Sequence, residues 1–336
     1  MTQLFDKIIA FTDFHQGRKN NERQANQDNN DFIDWLIVKA KEKNIKQCVF
    51  LGDWHDSRSS IHVSTLNYTY RNLKKLNDNF EKFYLILGNH DLHFREDRKT
   101  NSMVMAKELP NVVFIDELTE IDNVLFVPWL IGDEADLVSN YNVKYVFGHL
   151  ELGGFYMNNQ VQLPIEGHLS GDIFIYPEYV FSGHFHKRQN KGKIHYIGNC
   201  FPFDYRDVWD NNRGAMILEW GGKPEYIEWE HAPRFINIQL SDCLSNTSKF
   251  LTDKTSSKLT VDLPVNPDEV QFIRSMFLKW YPVRKLDFIT PRTNEDFEFD
   301  DNIEFQNTNE IILEGLETMR ESAFDVELLK RIYTEL

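Results

Sequence analysis

Five short apolar runs, each suited in length and composition to a buried strand, end in residues of one kind. Residues 7–12 (KIIAFT) run into Asp13 and His15, residues 47–51 (QCVFL) into Asp53 and Asp56, and residues 83–87 (FYLIL) into Asn89, His90 and Asp91. Two later runs, 143–147 and 179–181, lead to His149 and to His184 with His186. Gly52, Gly88, Gly148 and Gly183 stand just before these residues, where a chain leaving a strand sharply needs permissive backbone. In an α/β sheet the carboxyl ends of parallel strands share one edge, so residues far apart in sequence meet in one crevice there.

The shared side chains are carboxylates, one carboxamide and imidazoles, with no sulfur among them. That donor set suits manganese, magnesium, iron or zinc and disfavours a soft-metal or redox site. It is too large for one ion but fits two divalent ions sharing a carboxylate, an arrangement used to displace oxygen groups at phosphorus. Phosphoester hydrolysis is the chemistry expected. Cys48, Cys200 and Cys243 are widely spaced, so they offer neither a thiolate zinc site nor a disulfide framework and fit a reducing compartment. His62, His93, His168, His195 and His231 lack comparable company and read as surface or core residues, whereas His55, inside LGDWHD, is expected to face the site without binding metal.

Apolar runs alternate with amphipathic stretches through the first half, the pattern of a layered α/β domain. Phe32, Trp35, Leu36 and Ala40 recur at helical spacing over 31–43, and a second helix is expected over 62–77. Further strands are expected near 112–115, 124–127 and 194–197, and GAMILEW, 214–220, reads as the last strand of this domain. From about Pro233 the pattern changes to RFINIQL, KLTVDL and a helix opened by Pro267, Asp268 and Glu269, a smaller α/β unit. The expected division is 1–230, 231–292, an acidic tether over 293–306, and a helical pair over 307–336 with Ile311, Ile312, Leu316 and Met319 on one helix and Leu329, Ile332, Tyr333 and Leu336 on the other. With 37 basic and 52 acidic residues the formal net charge is −15, which excludes coating of polyanions by bulk charge. Any nucleic-acid contact must be local. The longest nearly apolar run, 124–131, is broken by Pro128 and is far too short for a membrane span, so a soluble cytoplasmic protein without membrane contact is expected.

Taken together, FTDFHQGRK, FLGDWHD, ILGNHDLH, FGHLELGGFY, FSGHFH and YIGNCFPF resemble the motifs of the calcineurin-like metallophosphoesterase superfamily, and within it the SbcD-type DNA repair nucleases, most closely their bacteriophage recombination members. The likeness spans about 7–220. It implies a metallophosphoesterase sheet sandwich flanked by helices, with 231–292 as a capping domain. It also implies two metal ions, manganese by preference, one held by Asp13, His15, Asp53 and His186 and the other by Asp53, Asn89, His149 and His184. Asp53 would bridge them, and His90 would lie beside the phosphate with Asp56 orienting its ring. Implied partners are DNA, a second copy of the chain and an SbcC-like ABC ATPase that docks on 307–336; the implied activities are 3′-to-5′ duplex exonuclease and single-strand endonuclease.

Phosphatases, cyclic-nucleotide phosphodiesterases and nucleases share such a centre, and a DNA-end scaffold with weak activity is a further alternative. Basic residues after three of the motifs favour a nuclease: Arg18, Lys19 and Arg23; Arg95, Arg98 and Lys99; and Lys187, Arg188, Lys191 and Lys193. They are expected at the crevice rim as DNA contacts. For self-association, Leu66, Tyr70 and Leu73 on the 62–77 helix and Met103 and Met105 within 102–109 are expected to form an exposed apolar seam.

Overall fold

The computed structural model describes residues 2–157 and 161–290. The tether and helical pair expected beyond residue 292 lie outside the described residues. Within 2–290 the strands are β1 (Lys7–Phe11), β2 (Gln47–Phe50), β3 (Lys82–Ile86), β4 (Leu92–Phe94), β5 (Asp97–Asn101), β6 (Val112–Ile115), β7 (Thr119–Ile121), β8 (Val124–Val127), β9 (Tyr145–His149), β10 (Tyr179–Gly183), β11 (Gln189–Lys191), β12 (Ile194–Tyr196), β13 (Gly214–Glu219), β14 (Glu225–Glu228), β15 (Arg234–Gln239), β16 (Thr255–Thr260) and β17 (Lys285–Ile289). The long helices are α1 (Arg23–Glu42), α2 (Val63–Asn79) and α3 (Pro267–Trp280).

Two six-stranded sheets form the main body. The first has the order β14-β13-β1-β2-β3-β6, parallel from β1 to β6, and the second β11-β12-β10-β9-β8-β7, parallel from β12 to β8. The two-residue period of a strand divides their side chains. Ile8 and Ala10, Val49 and Leu51, Tyr84 and Ile86 turn toward the second sheet, where Val124, Phe126, Tyr145, Phe147 and Phe181 meet them. The alternate residues Ile9, Phe11, Cys48, Phe50, Phe83 and Leu85 face the helix layer, packing with Phe32, Leu36 and Leu73. The mixed α/β sandwich expected from the sequence is therefore present. All three cysteines are buried and free.

A third sheet, β15-β16-β17, is wholly parallel and has its own core of Leu240, Leu251, Leu259, Val270, Phe277 and Leu286. Helix α3 crosses between β16 and β17, opened by Pro267 and a reciprocal capping box between Asn266 and Glu269. Arg284 grips Asp28 of α1 through two hydrogen bonds of 2.6 and 2.7 Å, which ties this sheet to the main body. Among the described residues no helix is long and apolar enough to cross a membrane.

The expected apolar seam is narrower than its sequence suggests. Leu73 and Met103 are fully buried against the first sheet, because each follows the helical or turn periodicity inward, and Met105 packs partly on the same core. Leu66 and Tyr70 remain exposed, with Val63 beside them one turn earlier. Leu73→Ala should therefore lower unfolding stability by about 2–5 kcal/mol in urea titration, as large-to-small core changes do. Leu66→Ala should leave stability within about 0.5 kcal/mol, the range for surface positions.

Candidate metal centre

Beyond β1 and β2 the chain continues as two irregular loops that pair with each other. The amides of Leu51, Asp13, His15, Gln16 and Asp56 donate across the pair to Phe11, Gly52, Asp53, Trp54 and Gln16 carbonyls at 2.7–3.0 Å. This pairing holds a backbone that would otherwise relax: Asp13, His15 and Asp53 sit at positive φ, at 50°, 42° and 65°, as does His184 after β10, at 87°. Left-handed backbone costs a non-glycine residue roughly 1–2 kcal/mol and gathers where function demands a geometry. Gly52 shows how closely the loops approach, since a Cβ there would lie 2.5 Å from His149 Nδ1 and 2.7 Å from Gly88 Cα.

Six of the side chains expected as ligands, together with His90, converge in three overlapping groups: Asp13, His15 and His186; His15, Asp53 and His90; and Asp53, His149 and His184, each with donor atoms within 4.8 Å of one another. Asn89 joins the third group, its Oδ1 lying 3.0 Å from both His149 Nε2 and His184 Nδ1. The first sheet supplies Asp13, His15, Asp53 and Asn89, and the second supplies His149, His184 and His186. Main-chain amides brace two of the carboxylates. His90 N–H donates to Asp53 Oδ1 at 2.7 Å, and His184 N–H reaches Asp13 at 3.1 Å.

The imidazoles are sorted by their outer partners. His149 Nδ1 donates to Leu51 O (2.6 Å), His90 Nδ1 to Asp56 O (2.8 Å) and His184 Nε2 to Glu151 Oε2 (3.0 Å), while His15 Nδ1 faces Asp56 Oδ1 at 3.4 Å. In His149, His90 and His184 the outward nitrogen uses its proton on an oxygen, leaving the lone pair of the inward nitrogen for the centre, while His15 Nδ1 makes no hydrogen bond. Outer-shell pairing of this kind fixes tautomer and ring plane in metal-binding histidines. His15 Nε2 and His186 Nε2 stand 3.1 Å apart, two donor atoms facing one point. An oxygen and nitrogen donor set arranged so fits divalent ions.

Without an ion, carboxylate charge holds protons on two of these rings. Burial opposes the charging of His15, but the carboxylates of Asp13, Asp56 and Asp53 lift it to about 10. For His149 burial is likewise outweighed, chiefly by Asp53, giving about 9. Burial dominates at His186, which falls to about 3, and it also lowers His90. Asp53 stays well below the ordinary carboxylate range: burial pushes it up, and the neighbouring imidazoles, His149 first, pull it down further.

Several residues lie elsewhere than the sequence suggests. The main-chain carbonyl of Asp56, not its carboxylate, orients His90, and the carboxylate turns to His15. His55 faces away from the centre, its ring held between Ser102 Oγ and Thr69 Oγ1 at 2.8 Å each. Of the third basic group only Lys187 borders a cavity beside His184 and His186. Arg188 packs on Tyr226 and donates to Ile197 O, Lys191 bonds Gly154 O, and Lys193 bonds Ile175 O, because strands β11 and β12 carry them away from the crevice. Arg18 is buried with its guanidinium 3.8 Å from the Phe203 ring centre, and Arg95 is exposed at the β4–β5 turn. Arg98 is buried and paired with Glu134. A cavity of about 350 Å³ over the centre is bordered by Arg18, Lys19 and Arg206. Arg206 carries no motif signal; Glu151 was legible as the acidic end of FGHLE.

The family described as Calcineurin-like phosphoesterase matches residues 6–188. Exonuclease subunit 1 of Enterobacteria phage T4 is 27% identical over 222 residues, 63% of this chain and 64% of that protein, so the chain spans just under two thirds of the relative's length. The crystal structure of Pseudomonas putida nuclease MPE is matched at 16% identity over 56% of this chain and 66% of that one, with a TM-score of 0.29.

Two outcomes follow for the centre. Because His15 and His149 are protonated at neutral pH and a ligand imidazole must be neutral, uptake of a divalent ion should release protons and strengthen as pH rises toward 9. Calorimetry in buffers of different ionisation enthalpy reads this directly, and proton-neutral uptake would contradict it. Glu151→Ala should weaken manganese affinity by about 10- to 100-fold, with Glu151→Gln, which keeps an acceptor oxygen, recovering most of it.

Proposed function

The chain belongs to the calcineurin-like phosphoesterase family, and from that premise we propose that it is a two-metal-dependent DNA nuclease acting in recombination and double-strand-break repair. The observation that carries this reading is the convergence of two aspartate–histidine groups from opposite sheets, one on Asp13 and the other on Asp53. In it, one ion is held by Asp13, His15, Asp53 and His186, the other by Asp53, Asn89, His149 and His184, and manganese is the preferred metal. When bound, such ions offset the charge of the phosphodiester and make water a stronger nucleophile at neutral pH.

The chain's own residues do the remaining work. His90, its Nδ1–H used on Asp56 O, turns Nε2 to the reacting group. It is the doubly protonated ring, charged by the proton that the attacking water releases, that gives its Nε2 proton to the leaving sugar oxygen. Glu151 and Leu51 O keep the His184 and His149 imidazoles in the tautomers that aim a lone pair inward, and the Asp56 carboxylate faces His15 at 3.4 Å. Arg18, Lys19 and Arg206 border the cavity and draw an anionic strand toward it in a chain whose net charge is −15. Similarity to a phage exonuclease subunit supports a DNA substrate over a phosphomonoester or a cyclic nucleotide. The word subunit in that relative's name supports a partner, which we take to be an SbcC-like ABC ATPase together with a second copy of this chain. In this reading 1–230 is the nuclease domain, 231–292 the cap, and 293–306 the tether to partner-binding helices at 307–336.

Cleavage of linear duplex and single-stranded DNA, beside a phosphomonoester, in manganese after chelator stripping tests the proposal. DNA should be cut and Asp53→Asn should abolish cutting with the fold intact. His90→Ala should slow turnover by on the order of 100-fold while manganese binding persists. Faster turnover of the phosphomonoester would make the chain a phosphatase, and binding of DNA ends without manganese-dependent cutting would make it a scaffold.

A further inference from the structure

The cavity over the metal centre is not the largest one nearby. Behind a wall made of Arg18, Lys19, Phe203 and Asp204, which both cavities share, lies a second of about 660 Å³. It opens where the loop after β1 meets the amino ends of the parallel strands β15, β16 and β17, which contribute Phe235, Ser256 and Lys285. The Arg284–Asp28 pair sets its floor, so that its shape is fixed by the contact joining the third sheet to α1.

Its walls and mouth differ in chemistry. Phe203, Phe235 and Tyr205 give apolar ring surfaces, the last two 5.2 Å apart edge to face. Ser256 and Gln24 add neutral hydrogen-bonding groups among them. At the mouth stand two exposed cations, Lys19 and Lys285, with exposed Glu22 beside them, while the lining carboxylates Asp28 and Asp204 are paired with Arg284 and Arg206. Aromatic rings beside neutral hydrogen-bonding groups, with lysines at the entrance, suit a nucleobase whose phosphate stays outside.

The backbone at the mouth is an independent sign. Lys19, Asn20 and Asn21 adopt φ of 52°, 55° and 64° in succession after Gly17 at 93°. This backbone costs Lys19 roughly 1–2 kcal/mol, and it costs less at Asn20 and Asn21, which visit the left-handed region more readily. The turn is held by outside partners: Asn26 Oδ1 accepts from Gly17 N–H at 3.0 Å, and Thr65 Oγ1 bonds Asn21 Oδ1 at 2.8 Å. The result is that Lys19 Nζ stands 5.2 Å from the Phe235 ring centre, at the lip of the cavity and on the wall of the metal centre at once. Backbone held against its preference by outside hydrogen bonds gathers at ligand-binding sites.

We propose that this second cavity receives the unpaired nucleotide next to the scissile phosphate of a DNA strand, its base against the paired rings of Phe235 and Tyr205 and its phosphate at Lys19 and Lys285. The assignment rests on the nuclease reading above and adds to it a requirement: the nucleotide on one side of the cut must leave its stack. Opposite sides of the cut then differ, because the strand turns into the cavity on one side only.

Wild-type full-length chain with manganese is given single strands carrying one abasic nucleotide at successive positions around a defined cut. One position beside the cut should raise KM by about tenfold, the weight of one base stacked on an aromatic ring, and the rest should shift it less than twofold. Ser256→Phe, which fills the cavity, should erase that positional difference. Independently, His90→Ala chain loaded with manganese is irradiated with strands bearing 5-iododeoxyuridine at the same positions, and adducts should map by mass spectrometry to Phe235 or Tyr205. An even abasic profile, or adducts confined to other segments, overturns the proposal. Absence of any cutting of the unmodified strand defeats the nuclease reading instead, and the adduct map then decides the cavity on its own.

Discussion

The buried carboxylate of Asp91 is the knot on which the centre depends. It accepts main-chain hydrogen bonds from Asp53 at 2.9 Å, Trp54 at 2.8 Å and Gly88 at 2.9 Å, so one side chain fastens the loop after β2 to the loop after β3. Burial and the charge of Asp53 raise it to about 7, while those amides pull it back. A buried group under such opposing demands is sensitive to the loss of any partner, since each amide it releases becomes an unsatisfied buried donor. The positions of Asp53 and Asn89, and through Asp53 the bracing amide of His90, all follow from this knot.

A second layer of support lies in the polar face of α1. Its first turns bury Asn26, Asp28 and Asn29 instead of apolar side chains. Asn29 donates to Phe14 O at 2.6 Å, Asn26 spans from Gly17 to Thr65, and Asp28 holds Arg284. Helix α1 thus works as a rack for the loop after β1, with its apolar half anchored in the core by Phe32, Ile33 and Leu36. The left-handed residues stay in place because the groups around them are hydrogen-bonded to a rigid element.

This division explains which features could be read from the sequence. Strand ends were legible because KIIAF, QCVF and KFYLI are apolar runs whose buried faces alternate, and the residues just after them are the ones the fold brings together. The opening of α1 was not: RQANQDNN has no apolar stripe, so a helix that starts at Arg23 reads as one starting near residue 31. Strand β17 (KLDFI) went unread because it is short and gains its meaning only from pairing with β16. Charge runs misled for a related reason. Lys187 to Lys193 looks like a basic patch in one dimension, but a strand alternates its sides and a long side chain reaches the nearest carbonyl, so Arg188, Lys191 and Lys193 end in separate local bonds.

The donors come from two sheets that pack face to face and, among the described residues, share no hydrogen-bonded strand. An ion reaching both Asp53 and His149 is therefore a crosslink across that interface, closing a chain loop of on the order of 100 residues. Loop closure of that length restricts an unfolded chain by several kcal/mol in the manner of a disulfide. The staple that cysteines cannot provide here, all three being free, is thus within reach of the metal, which makes the ion a structural tie between the halves of the sandwich as well as a reagent.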